Sequence, residues 1–317
     1  MQLEQKRSIR GSVVCFLTAL IWGTSFVSQS KGMEFMGPFT FNGVRTLIGA
    51  SVLLPVMLIL RSLSKRKGTA VTFTKKRWLL GGICCGCALC AASMSQQFGI
   101  KYTTVGKTGF VTALYIILVP ILGIFIGKKV PKIVWAGAIF AVGGLYLICV
   151  QGETGINIGD VFNFISAFLF ATHILTVDHF VKGLDSIMLS WLQFVVSGTI
   201  CLIFAFIFEH PTPEAILAGL TSLLYSGVMS TGVAYTLQVV GQRDANATAA
   251  AMVFSLEAPI CAISGFVAYK VGLLPNETAL NLTQLIGCAI VFISVIVVQI
   301  PFPEKKAKAK EKARAEA

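Results

Sequence analysis

Glu257, in the apolar run FSLEAPI, is a carboxyl placed where water is scarce. Such a group can switch protonation and couple a proton, or hold a substrate amine; it can equally be a neutral hydrogen-bonding strut. Arg45 lies inside another apolar run with Asn42 three residues before it, a spacing that puts both on one helix face. They either line a polar interior or clamp helix-end carbonyls. Lys107, in YTTVGKTGFVTALY, can snorkel to headgroups or reach inward, where Glu257 is an attractive partner. His173, with Thr172 and Thr176 beside it, suits a proton relay or a structural hydrogen bond. Gln96, Gln97, Gln193 and Gln238 offer donors and acceptors without charge, which fits a zwitterion or a polar organic solute. Trp22, Tyr115 and Tyr235 supply aromatic walls, or interfacial anchors and packing. Pro120 and Pro259 interrupt backbone hydrogen bonding and are candidate hinges.

Catalytic chemistry has little to work with. An intramembrane enzyme needs an acid/base pair, a nucleophile with its base, or a metal set, and no such constellation stands out. Nine cysteines invite disulfides or metal, yet all sit in apolar stretches and read as small packing residues. The run CCGCALC holds two C-x-x-C spacings with no His or acid nearby, so neither a metal nor a cofactor is expected.

The elements that position these residues are set by composition. Of 317 residues, 55% are hydrophobic and 13% charged, too few polar side chains to cover a water-soluble globule. The net charge of +12 could suggest nucleic acid, but the basic residues lie between apolar runs, where they act as topology signals and no nucleic-acid partner is expected. A membrane-width reading predicts an all-α integral membrane protein with spans near 11–29, 38–60, 78–97, 105–127 and 131–150. Five more follow the break QGETGINIGD, near 159–177, 187–208, 214–239, 246–269 and 280–300. The first run carries no A-x-A cleavage signal and is expected to stay as a helix.

Most of the 26 Lys and Arg residues fall on one side of this scheme, leaving only Lys31, Lys101, Lys107 and Lys270 on the other. The positive-inside rule then places both termini in the cytoplasm, and the expected location is a bacterial inner membrane. The tail at 301–317, EKKAKAKEKARAEA at its end, reads as a charged cytoplasmic extension able to touch anionic lipid.

An internal repeat is visible directly. GSVVCFLTALIWGT from Gly11 and GDVFNFISAFLFAT from Gly159 match residue for residue at Gly, Val, Phe, Ala and Thr. The same offset carries Arg45 onto Gln193, and a slightly shorter one pairs Gln96, Gly99 and Lys101 with Gln238, Gly241 and Arg243. The expected units are therefore 11–150 and 159–300. With five helices each, they must face opposite ways, as alternating access around a central site requires.

WGTSF at the end of the first span, FTFNGVRTLIGA after Pro38 and SLEAP in the ninth span carry a resemblance: the chain is similar to the EamA-like branch of the drug/metabolite transporter superfamily, over nearly all of residues 11–299. One departure is Ala258, standing between Glu257 and Pro259 where the commoner form in the family is Leu-Glu-Pro. The resemblance implies export or exchange of small metabolites, amino acids among them, through a cavity between the halves, by a monomer or weak oligomer in contact with membrane lipids. The alternatives are a lipid or polyprenyl-phosphate flippase on the same architecture, a membrane-embedded enzyme, and a channel, although no filter-like signature is evident.

Overall fold

The computed structural model describes residues 2–68, 71, 73–149, 157–274 and 281–299, and among them it contains helices and no strands. The 301–317 tail and most of the break after Val150 lie outside the described residues. The first half contains α1 (Gln2–Gly32), α2 (Pro38–Arg66), α3 (Lys75–Tyr102), α4 (Val105–Thr112), α5 (Tyr115–Phe125) and α6 (Lys132–Cys149). The second contains α7 (Ile158–Val181), α8 (Ser186–Phe208), α9 (Pro213–Ala218), α10 (Leu220–Leu224), a π-helix (Tyr225–Tyr235), α11 (Thr236–Asp244), α12 (Ala247–Phe254), α13 (Glu257–Lys270) and α14 (Leu282–Gln299). These elements fall on the expected apolar runs. Eight continuous or lightly broken helices are long and apolar enough to cross a membrane, while Lys132–Ile148 and Leu282–Val298 are apolar but shorter.

Two spans are broken, and they are broken alike. Thr104 and Asn246, corresponding residues of the two halves, cap α4 and α12 by accepting from the backbone N–H of Lys107 and Ala249. Both helices then stop at a two-residue turn, Ala113–Leu114 in one half and Ser255–Leu256 in the other. The Leu114 and Leu256 N–H groups donate three residues back, to Val111 and Val253, each at 3.2 Å. In the second half, Pro259 explains the stop: it has no N–H to offer the Ser255 carbonyl four residues earlier, which accepts instead from Ala258 at 3.2 Å. Pro120, the other hinge candidate, does not coincide with the break in its span. It lies inside α5, which continues through it, and the turn lies upstream at Ala113–Leu114.

Packing repeats as well. The halves interlock, α3 against α7, α2 against α8 and α1 against α11 and α13, while α6 and α14 pair with each other. At the α6/α14 crossing a Cβ on Gly144 would lie 2.7 Å from the Gly287 carbonyl oxygen, so only glycine permits this approach. The outward faces are apolar, as at Ile139, Phe140, Phe206 and Phe208, which suits a hydrocarbon solvent. The buried interior instead holds Arg45, Gln96, His173, Gln193, Gln238 and Glu257.

Candidate functional site

The polar residues converge where the two broken spans meet α1, α3, α7 and the π-helix. Tyr115 and Glu257 occupy corresponding positions, each the first residue after its helix break, and they touch: the Tyr115 hydroxyl donates to Glu257 Oε1 at 2.8 Å. Gln96 and Gln238, also counterparts, line the same cavity, as do the α1/α7 counterparts Trp22 with Phe170 and Phe26 with Ile174. Ser25, Gln29, Arg45, Thr112, Ser230 and Tyr235 complete the wall. The chamber therefore sits between the halves and is walled by both.

Its void, about 380 Å³ including the mouth, is for the most part too narrow for a water to enter. That admits a water or two and no metabolite. Several lining groups nevertheless have no hydrogen-bond partner among the described residues: Trp22 Nε1, Gln29 Oε1 and both amide atoms of Gln238. A buried polar atom without a partner costs about 1–3 kcal/mol, so a chamber holding four is unsatisfied as it stands.

Arg45 enters the wall from α2. Its Nε donates to Asn42 Oδ1 at 2.6 Å, and its guanidinium lies 5.7 Å from the Phe41 ring centre. The side-chain amide of Asn42 donates in turn to the Ser93 carbonyl at 3.0 Å, fixing the arginine from behind. Trp22 and Tyr235 stack in a tilted arrangement with ring centres 4.7 Å apart. The π-helix that delivers Ser230 and Tyr235 is a rare backbone form that is frequent at functional sites. Its widened turn is visible in Thr231, whose hydroxyl donates five residues back to the Ser226 carbonyl at 3.1 Å.

Six of the ten sequence candidates thus share the chamber: Arg45, Gln96, Tyr115, Tyr235, Gln238 and Glu257. Asn42 stands behind Arg45. His173 and Gln193 pair with each other at 3.1 Å behind Tyr235, whose ring centre is 6.3 Å from that of the histidine. Lys107 is elsewhere. Its ammonium reaches Asp160 Oδ2 at 2.8 Å rather than Glu257, because α4 begins beside the capped start of α7, where Asp160 also accepts from Thr103 and from the Asn157 N–H. The cysteine run is divided: Cys85 and Cys90 are buried and Cys87 is exposed.

Sequence reasoning passed over Ser25 and Gln29. Their spacing from Trp22, three and seven residues, is a polar face on one helix and was the available signal. It also passed over Asp178, which pairs with Lys128 and, at 3.6 Å, with Lys182. The π-helix has no sequence signal comparable to a cap or a proline.

The comparisons with known proteins bear on family and fold. The model of the EamA-like transporter family matches the chain twice, over residues 9–150 and 157–300. An uncharacterized transporter of Archaeoglobus fulgidus is 28% identical over 288 residues, covering 89% of this chain and 83% of its own. The uncharacterized transporter YoaV of Bacillus subtilis is 24% identical over 244 residues, covering 74% and 81%. A crystal structure at 15% identity superposes with a TM-score of 0.70 over 91% of this chain and 96% of that one, a likeness of fold. With the family model matching almost end to end, the chain belongs to the EamA-like transporter family and is a multi-pass membrane transporter.

Proposed function

We propose that this transporter is a secondary carrier of small polar metabolites, amino acids among them, working by alternating access. In this reading α6 and α14 also cross the bilayer, which gives ten crossings in two inverted five-helix repeats. Both termini face the cytoplasm of a bacterial cell. The observation that carries the reading is the chamber itself, buried and polar, and lined by corresponding residues of both halves. A site shared between two related units can open to either side as those units rock, and half-helices that end at such a site are a recurrent feature of carriers. The small void supports a closed form of the cycle, in which rocking must enlarge the chamber before a solute enters.

Within this scheme Arg45, Gln96, Tyr115, Tyr235 and Gln238 face the solute and Glu257 couples protons through its exchange with Tyr115. Asn42, His173 and Gln193 brace the wall, Lys107 belongs to a clamp at the α4/α7 end, and Pro259 supports the bend that moves. The experiment is counterflow in proteoliposomes: preloading with unlabelled amino acids should drive accumulation of a labelled one, and leakage indifferent to preloading would reject a carrier.

A further inference from the structure

Arg45 is 2% exposed, lies within a span and lines the chamber, and among the described residues no carboxylate lies within ion-pair distance of it. A cation at membrane depth is costly unless it has a partner. Of its five N–H donors, the structure uses one, the Nε–H that meets Asn42 at 2.6 Å. The two Nη groups form no hydrogen bond with any described residue, and they are not sealed off as the orphaned Gln238 amide is. Of the other ionisable wall residues, Glu257 and Tyr115 are engaged with each other, and Tyr235 is a neutral phenol close to Arg45 that brings it no charge. The chamber therefore presents a forked donor, held from behind by Asn42 and Phe41, with no carboxylate across from it among the described residues.

From this geometry we propose that Arg45 is the seat of a carboxylate carried by the transported solute. The inference rests on the carrier reading and narrows its cargo to small organic acids, including amino acids, that bring the missing negative charge. A planar guanidinium matches a carboxylate through two parallel N–H···O bonds, which a neutral amide cannot reproduce. The rest of the wall fits an organic body on that carboxylate: Trp22 and Tyr235 offer apolar faces, and the unpartnered Gln238 amide and Trp22 N–H offer polar contacts.

The test is ligand-induced stabilisation of the purified full chain in detergent. The probes are propionate, benzoate, L-leucine and L-phenylalanine, each compared with its primary amide. At least one acid should raise Tm where its amide does not. In Arg45→Gln that acid should bind about tenfold or more weakly, as expected for loss of a charge-assisted pair, with partial retention in Arg45→Lys. Should Arg45→Gln fail to fold, Asn42→Asp supplies a second check. This near-isosteric change gives Arg45 an internal carboxylate, and it should weaken acid binding by a similar factor. Amides binding as well as acids, no acid binding at all, or unchanged affinity in folded Arg45→Gln or Asn42→Asp would overturn the seat. Counterflow of other solutes without acid binding would reject the seat and leave the carrier reading standing; acid binding without counterflow would do the reverse.

Discussion

Glu257 and Tyr115 show what a single residue contributes here and how far the sequence could lead to it. The acid was legible because a carboxyl in an apolar run is conspicuous, and Arg45 stood out for the same reason. Their partners were less so. Lys107 looked suited to Glu257 by charge, but a phenol in the corresponding position of the other half, 2.8 Å away, takes that place. Asp160 was hidden by its role as the third residue of a capping box with Asn157, a motif that does not announce a second partner. The role proposed for Glu257 predicts that Glu257→Gln abolishes proton-driven accumulation in proteoliposomes and flattens the pH profile of transport. A variant that keeps both rate and profile would remove that role. Tyr115→Phe deletes only the donor to the carboxyl, and it should lower stability by about 1–3 kcal/mol, read as a reduced Tm in detergent.

At the scale of elements, apolar run length placed nearly every helix, and capping residues placed several starts. Thr74, Thr104, Asp185, Thr212 and Asn246 each accept from a backbone N–H in the first turn that follows. The stop at Ser255–Leu256 follows from Pro259, but the matching stop at Ala113–Leu114 has no proline at the matching position and Pro120 leaves α5 intact. The second break is a property of the fold more than of its local residues. Glu209 is a similar case: it ends α8 yet accepts from the Phe39 and Thr40 N–H groups at 2.9 and 2.7 Å, capping the start of α2. No local pattern reveals that contact. The α6/α14 pair gives a sharp test of element packing. Gly144→Ala must push the crossing apart and should lower Tm, whereas Gly143→Ala, which meets nothing within 4 Å, should be neutral or stabilise by about 0.5–1 kcal/mol. Equal effects of the two substitutions would mean that the crossing is not tight.

In the whole molecule, the repeat read from GSVVCFLTALIWGT and GDVFNFISAFLFAT carries the most information, because it predicts which distant residues become neighbours. The counterparts Gln96 and Gln238 share one wall, as do Tyr115 and Glu257. The proposed inversion has a direct consequence for the links after α2 and α8. Cysteines introduced at Lys67 and His210, both exposed, should react with an impermeant thiol reagent from opposite sides of the membrane, the first from the cytoplasm. Reaction from the same side would contradict the inverted arrangement. If the chamber between the halves opens alternately to each side, Ser230→Cys will report both openings. Ser230 lines the chamber and is 1% exposed. The account predicts labelling above the parent protein both in intact cells and in inverted vesicles, slowed from both sides when a transported solute is bound. Labelling from one side only would contradict it.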